Sequence, residues 1–137
     1  TLLDDGRVLA VGGGCLIQLP NNLGVITNVA ELFDPKTNTW SSAGKMKTPR
    51  MLFEAYNLGN GRILHIGGAD GNFTNPVAVA TTEIYNVKTN TWSAGPKLAG
   101  PRAAFSSYVN KTGQIHILGG VAGVAVTCLN TTEWYYR

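Results

Sequence analysis

Short apolar segments alternate with turns rich in glycine and asparagine along this chain, and the middle of the sequence shows the pattern most completely. Leu52–Leu58 is a predicted first strand, and Gly59-Asn60-Gly61 supplies the residues that a tight hairpin turn needs. Arg62–Ile66, the predicted second strand, is nearly all apolar, which predicts burial of both its faces. Thr82–Tyr85 and Thr91–Ser93 are the predicted third and fourth strands. The pattern therefore predicts a unit of four short antiparallel strands, a to d.

This unit is an internal repeat. The residues around strand b occur three times, as Gly6–Gly14, Gly61–Ala69 and Gly113–Val121. The block around strand c ends at Trp40 in one copy and at Trp92 in the next, and these two residues are 52 positions apart. Because one four-stranded sheet cannot bury both of its faces alone, units repeated at this period are expected to pack face to face around an axis.

One segment of the repeat varies in length while the other spacings stay fixed. From the first glycine of each Gly-Gly pair to the glutamate of strand c there are 19, 16 and 14 residues in the three copies. Length changes fall in loops, so this b–c segment is predicted to form one type of loop on one side of the repeat. The predicted b–c loops are Gly14–Ala30, Ala69–Thr81 and Val121–Thr132.

Together these motifs resemble the kelch repeat, which has a Gly-Gly pair after an apolar strand, a Glu two residues before an aromatic, and a later Trp. The resemblance covers essentially the whole chain and implies an all-β fold, a kelch-type β-propeller with one repeat per blade. The expected antiparallel blades are 1–48 without its first strand, 49–100 complete with four strands, and 101–137 without its last strand. A propeller typically needs about four to eight blades. This chain alone is therefore expected not to close a ring, and its initial Thr1 predicts a fragment or a processed piece.

Composition and charge narrow the function classes. A hydrophobic fraction of 44% and a charged fraction of 14% exclude a disordered tail. The net charge is +3, but the basic residues are scattered and form no stripe, so a nucleic-acid partner is not predicted. No apolar run approaches the roughly 18 residues that a membrane helix needs, so no membrane span is predicted.

The recurring residues are expected to be structural. The Gly-Gly pairs should let backbones approach closely near the propeller axis, since no helix follows them to create a phosphate site. Trp40 and Trp92 recur in register, which predicts packing between blades, and Trp134 is a predicted core residue on strand c. Arg50 and Arg102 each follow a proline, and we expect them to bind backbone carbonyl groups near the blade edge. Contact with an anionic partner is the alternative for these two arginines.

Histidine and cysteine indicate no metal site. His65 and His116 lie in strand b at offsets that point to opposite faces, so they are not equivalent. Cys15 and Cys128 fall in b–c loops of the first and third blades, without a Cys/His cluster. A disulfide between them would span the middle blade, so both are expected to be free or paired elsewhere. The sequence thus predicts no metal, no cofactor and no catalytic residue.

Three sequons for N-glycosylation occur at Asn72, Asn110 and Asn130. Two of these asparagines lie in predicted b–c loops and one in a predicted a–b turn, where a glycan could be attached. They favour an extracellular glycoprotein over a cytoplasmic protein, although the compartment stays open.

The function that the pattern favours is a non-catalytic protein-interaction scaffold. The b–c loops are unusually apolar for loops that face solvent, so we expect them to bury against protein partners or other chains of an assembly. The alternative is that they cover the edges of their own blades. The candidate binding residues are Leu16, Ile17, Leu19, Asn72, Phe73, Val124 and Val126.

Two other functions are kept open. The chain could be a structural piece of a larger, extracellular assembly. It could also be the propeller segment of a copper-radical oxidase, because galactose oxidase carries a similar kelch-like propeller. That resemblance implies a crosslinked tyrosine shortly after the arginine of strand a, but Arg50 precedes Met51-Leu52 and Arg102 precedes Ala103-Ala104. Catalysis is therefore not expected in this segment.

Overall fold

The computed structural model describes residues 1–15, 24–73, 75–123 and 127–135. Those ranges contain strands, turns and no helix, so none of them holds a helix that could cross a membrane. The strands are β1 (Val8–Val11), β2 (Gly14–Cys15), β3 (Val25–Ile26), β4 (Val29–Asp34), β5 (Thr39–Lys45), β6 (Glu54–Gly59), β7 (Arg62–Ile66), β8 (Ala69–Asn72), β9 (Asn75–Ala78), β10 (Thr82–Asn86), β11 (Thr91–Ala94), β12 (Ser106–Val109), β13 (Ile115–Leu118), β14 (Val121–Ala122), β15 (Thr127–Cys128) and β16 (Thr132–Tyr135).

Three of the sheets are built from strands of successive copies of the repeat, and we call them the first, middle and third blades. The first has the order β1-β4-β5, the second β11-β10-β7-β6, and the third β12-β13-β16, and all their pairings are antiparallel. Strand b of the middle blade runs over Arg62–Ile66, as predicted, and the other three predicted strands differ at their ends by a few residues. The prediction of an all-β propeller fragment is confirmed, with no closed ring in the described ranges.

The b–c segments, predicted as loops, contain strands of their own. The segments hold the hairpins β2-β3, β8-β9 and β14-β15, which we call the b–c hairpins. Strand β3 of the first hairpin also pairs with β8 of the second, where Val25 lies opposite Asn72. The segments form hairpins rather than open loops because their backbone N–H and C=O groups need partners. A hairpin supplies these partners within a segment that leaves and re-enters the same sheet.

Apolar side chains fill the spaces between the blades. Ile63 and Tyr85 of the middle blade pack against Leu9 and Leu32 of the first blade. On the opposite face, Leu64 and Ile66 pack against Ile115 and Ile117 of the third blade. Strand β7 is therefore buried on both faces, with Ile63, Leu64, His65 and Ile66 all at most 1% exposed. This confirms the prediction from its apolar sequence.

The three tryptophans differ in burial. Trp92 packs into the interface between the first two blades, and its indole N–H donates to the carbonyl oxygen of Ala43 at 2.8 Å, as the packing prediction required. Trp40 is 56% exposed, so the predicted packing between blades is not seen for it among the described residues. Trp134 is 49% exposed, so the prediction that it is a core residue is wrong for the described part of the chain. The reason is position, because each lies on the outward face of a terminal sheet that no other described sheet covers.

The Gly-Gly pairs bring the backbones of successive blades together, as expected. Gly67 has a φ of +58°, and a Cβ there would lie 2.6 Å from the carbonyl oxygen of Arg102. The next residue, Gly68, donates its N–H to that same oxygen at 2.9 Å. In the first blade, Gly12 approaches the carbonyl oxygen of Arg50 in the same way. Only glycine combines this backbone conformation with so close an approach.

Candidate functional site

The b–c hairpins have one face on the blades and one face in solvent. Ile26, Ala69 and Ala78 are buried, and Ala69 and Ala78 pack with Ala103 from the start of the third blade. On the other face, Val25 is 44% exposed and Val77 is 38% exposed. These valines alternate with the buried residues along β3 and β9, which is the period of a half-buried strand.

The outward residues of the first two hairpins form one continuous surface. Residues opposite each other in an antiparallel pair share a face, and the pairs are Cys15 with Val25, Val25 with Asn72, Asn72 with Asn75, and Asp70 with Val77. We call these six residues the hairpin face: Cys15, Val25, Asp70, Asn72, Asn75 and Val77. Of these six residues, only Asn72 was predicted to bind a partner. Cys15, Val25, Asp70, Asn75 and Val77 were not predicted, because their segments show no regular alternation of apolar and polar residues.

Only two of the predicted binding residues can be placed. Asn72 lies on the hairpin face, and its side-chain oxygen accepts the N–H of Asn75 at 2.7 Å. Phe73 follows it and is half-buried, with its ring against Gly14 and Gly24 of the neighbouring hairpin. Phe73 thus joins two hairpins, and a binding role for Asn72 and Phe73 stays a prediction. The other five lie outside the described residues, namely Leu16, Ile17, Leu19, Val124 and Val126.

The cysteines and the sequon asparagines are also placed. Cys15 and Cys128 are both exposed and free, as expected. Asn72 and Asn130 are exposed, whereas Asn110 is half-buried and its amide nitrogen donates to the side chain of Gln114 at 2.8 Å. Glycosylation of the three sequons stays a prediction.

Arg50 links three parts of the middle blade. Its guanidinium donates to the carbonyl oxygens of Gly67 at 2.7 Å and Thr81 at 2.9 Å, and to the carboxylate of Glu83 at 2.8 Å. Burial lowers the pKa of the Arg50 guanidinium from its ordinary value, and the charge of Glu83 opposes that shift. The carboxylate also accepts the backbone N–H of Thr48 at 3.0 Å. Arg50 thus has the carbonyl-binding role expected for it, with a buried glutamate as an additional partner.

The third blade repeats this arrangement with Arg102. Its guanidinium donates to the carbonyl oxygen of Gly119 at 2.9 Å and to the carboxylate of Glu133 at 2.9 Å. The carboxylate of Glu133 accepts the N–H of Ala99 at 2.8 Å. Both arginines are buried and ion-paired within the fold, with only their Nε atoms lacking a partner among the described residues, so neither guanidinium is exposed to an anionic partner.

His65 is a buried imidazole with aromatic neighbours. Its ring lies between Phe53 and Trp92, with ring centroids 5.4 Å and 5.1 Å away. Neither ring nitrogen has a hydrogen-bond partner among the described residues. Burial, with a smaller contribution from the charge of Arg50, lowers the pKa of His65 from 6.5 to about 3. His116 lies on the opposite face of its blade, stacked on Trp134, so the two histidines are not equivalent, as predicted.

We expect His65 to make the fold sensitive to acid. The unfolded chain binds a proton near pH 6.5 and the folded chain only near pH 3, so stability falls as the pH drops between these values. Between these pH values the free energy of unfolding changes by about 1.4 kcal/mol per pH unit. It should therefore be about 2 kcal/mol lower at pH 5 than at neutral pH. Urea unfolding of wild type and of His65→Leu at several pH values measures the contribution of His65 to this pH dependence. Parallel pH profiles for the two proteins would show that His65 does not cause it.

The described part of the chain holds no cluster of three His, Cys, Asp or Glu side chains that could bind a metal ion. Arg50 and Glu83 are engaged with each other in the fold, and His65 is buried within it. The hairpin face is therefore a candidate surface for binding.

Comparison with known proteins agrees with the fold. The family profile described as the Kelch motif matches residues 2–47 and 56–99. The F-box/kelch-repeat protein SKIP11 of Arabidopsis thaliana is 32% identical over 127 residues, which are 90% of this chain and 26% of that protein. Kelch-like protein 40 of Xenopus tropicalis is 34% identical over 92 residues, which are 66% of this chain and 14% of that protein. The chain thus spans about a quarter or less of the length of these relatives.

Proposed function

Since the chain belongs to the kelch-motif family, we propose that it is a non-catalytic scaffold that binds protein partners through the hairpin face. The observation that carries this proposal is the pairing of β3 with β8, which joins the b–c hairpins of two blades into one sheet. A rigid joined sheet can present side chains from both hairpins at fixed positions. In the same proposal, residues 1–48, 49–100 and 101–137 are the blade units that carry these hairpins.

The chemistry of the hairpin face supports a protein partner. It combines exposed valines with the polar side chains of Asp70, Asn72 and Asn75, and protein interfaces typically join apolar contacts with a polar surround. The b–c segments are also the parts of the repeat that differ in length, so changes in them can alter which partner is bound without altering the blades. The relatives are named for their kelch repeats, and none of the names cited above describes a catalytic activity.

We test the hairpin face with paired charge substitutions. Val25→Asp with Val77→Asp places two carboxylates on exposed positions, so the blades should still fold while the face loses its apolar contacts. Val109→Asp is a control for a carboxylate at an exposed valine outside the hairpin face, because Val109 is 43% exposed and lies at the far end of a blade, beside the a–b turn. Affinity capture from extracts of the source cells, followed by mass spectrometry, compares the proteins retained by each variant.

We expect a partner that wild type and Val109→Asp retain and that the Val25→Asp, Val77→Asp variant loses, with unchanged circular dichroism. Equal retention by all three would reject the hairpin face. The joint replacement of Leu16, Ile17 and Leu19 by Ser extends the test to the segment between β2 and β3. Retained folding with lost binding places those residues in the interface, and lost folding assigns them to the core of the propeller.

A second candidate function is a structural piece of a larger assembly. Trp40 is exposed on the first sheet, and Tyr108, His116 and Trp134 form an aromatic cluster on the outward face of the third. Both are large apolar surfaces of the kind that neighbouring sheets cover in the middle of the chain. Native mass spectrometry of the full-length protein distinguishes an assembly of several chains from a single chain that supplies its own remaining blades.

A further inference from the structure

A cleft between the first two blades collects basic side chains. It encloses about 410 Å³ and is lined by Lys45 and Lys47 from the end of β5 and the linker after it, and by Lys97 from the linker after β11. Trp92 and Ala94 of β11 supply apolar lining. None of the described lining residues belongs to a b–c hairpin, so the cleft is separate from the hairpin face.

The three lysines have no partner of opposite charge within the described part of the chain. They are half of the six lysines in the sequence, and all three are exposed. Neither the hydrogen bonds nor the ion pairs of the described residues involve their ammonium groups. The cleft therefore offers a concentration of positive charge that the fold itself does not use.

Glu83 also lines this cleft, but its carboxylate is already fully engaged. One oxygen accepts the guanidinium of Arg50 at 2.8 Å and the N–H of Thr48 at 3.0 Å. The other oxygen accepts the N–H of Lys47 at 2.7 Å. Glu83 is thus neutralised by Arg50 and held by two backbone N–H groups, and it leaves the charge of the lysine side chains available. The same bonds occupy the two backbone N–H groups that could otherwise hold a small anion.

Strand β11 gives the cleft a second means of recognition. Among the described strands it is the edge strand of the middle blade and pairs only with β10, on one side. Three of its residues, Trp92, Ser93 and Ala94, line the cleft. An edge strand has unpaired backbone donors and acceptors along its outer side, and an extended peptide can pair with them.

We propose that this cleft binds an extended acidic peptide segment, which pairs with the outer edge of β11 and sets Asp or Glu carboxylates against Lys45, Lys47 and Lys97. Backbone pairing with β11 supplies a fixed direction and register. The three ammonium groups select for acidic side chains, because they attract carboxylates and disfavour basic segments. This site does not depend on the hairpin face, and each can be lost without the other.

The test is binding of a synthetic probe to the full chain. The probe is a fluorescein-labelled octapeptide of alternating Glu and Thr, and the control probe has Gln in place of each Glu. The cleft variant is Lys45→Gln, Lys47→Gln, Lys97→Gln, and the matched control variant is Lys36→Gln, Lys88→Gln, Lys111→Gln. Both variants lose the same three charges, and the control lysines are also exposed but lie outside the cleft. Thermal unfolding checks that both variants fold.

We expect the cleft variant to bind the acidic probe about tenfold more weakly than wild type, since three exposed ion pairs each contribute modestly. The control variant should stay within about twofold of wild type, because distant exposed charges are screened by salt. Equal weakening of binding in both variants would show that only net charge matters and would overturn the site. Equal binding of the Gln probe and the acidic probe to wild type would overturn it as well.

Two further probes separate a peptide groove from other anion sites. Methylation of alternate backbone nitrogens of the acidic peptide removes its donors and should abolish binding, because β11 pairs with those groups. Unchanged binding of the methylated peptide would overturn the strand pairing. Inorganic pyrophosphate and a single-stranded oligonucleotide are tested as competitors at the same concentration of charge as the peptide. Displacement of the peptide by either one would show a general anion site and overturn the assignment to a peptide.

Discussion

Arg50→Met is expected to lower the free energy of unfolding by about 3–5 kcal/mol, the usual effect of removing one partner of a buried ion pair. The substitution leaves the Glu83 carboxylate, which is only 6% exposed, without its cationic partner. It also removes the guanidinium donor to the carbonyl oxygen of Gly67 and one of the two donors to the carbonyl oxygen of Thr81. Since these groups join strand b, the b–c segment and strand c, the middle blade should lose much of its cooperativity. Urea or thermal unfolding measures the change.

Two matched substitutions control this prediction. Arg62→Met changes an exposed arginine of β7 and should shift stability by no more than about 0.5 kcal/mol. Arg102→Met should cost less than Arg50→Met, because Glu133 is 16% exposed and water can solvate the carboxylate that remains. If all three variants unfold alike, the buried ion pair does not hold the blade together as the structure indicates.

The internal repeat made the blades predictable from the sequence. Because each recurring motif marks the same point of a sheet, strand b of the middle blade could be placed at Arg62–Ile66 without structural information. The close approach of the Gly-Gly backbones could be inferred for the same reason. The roles of Arg50 and Arg102 followed only in part, because their partners Glu83 and Glu133 lie about thirty positions away and charge alone does not identify a pair.

The b–c hairpins could not be predicted because they depend on tertiary contacts. Strands β2, β3, β14 and β15 are two residues long, too short for a period to show. They form because their ends are fixed by the blades, as where Met51 bridges Ala69 at the base of the second hairpin. Strands β8 and β9 are four residues long but show no regular apolar–polar alternation, so the hairpin face was predicted only at Asn72. The exposure of Trp40 was also not predictable, because it depends on whether another sheet covers its face.

Trp40 and Trp92 occupy the same position of successive repeats but differ in burial, and truncation of the more buried Trp92 is expected to destabilise the fold strongly. Trp92→Ala is expected to lower the free energy of unfolding by about 3–5 kcal/mol, because it opens a cavity between two blades. The indole contacts Tyr85 and His65 and donates to Ala43, so its loss affects both sheets. Thermal and urea unfolding of the full chain measure the effect.

Trp40→Ala is the matched control, since it makes the same truncation at the same position of the preceding repeat. Its side chain is 56% exposed and contacts Phe33 within its own sheet, so its loss should cost about 1 kcal/mol or less in this chain. Trp92→Phe separates packing from hydrogen bonding, because it keeps a ring but removes the donor to Ala43, and should cost about 1 kcal/mol for that bond beyond the loss of ring size. Equal losses for Trp92→Ala and Trp40→Ala would contradict the inter-blade packing, because they would place both indoles in the same environment.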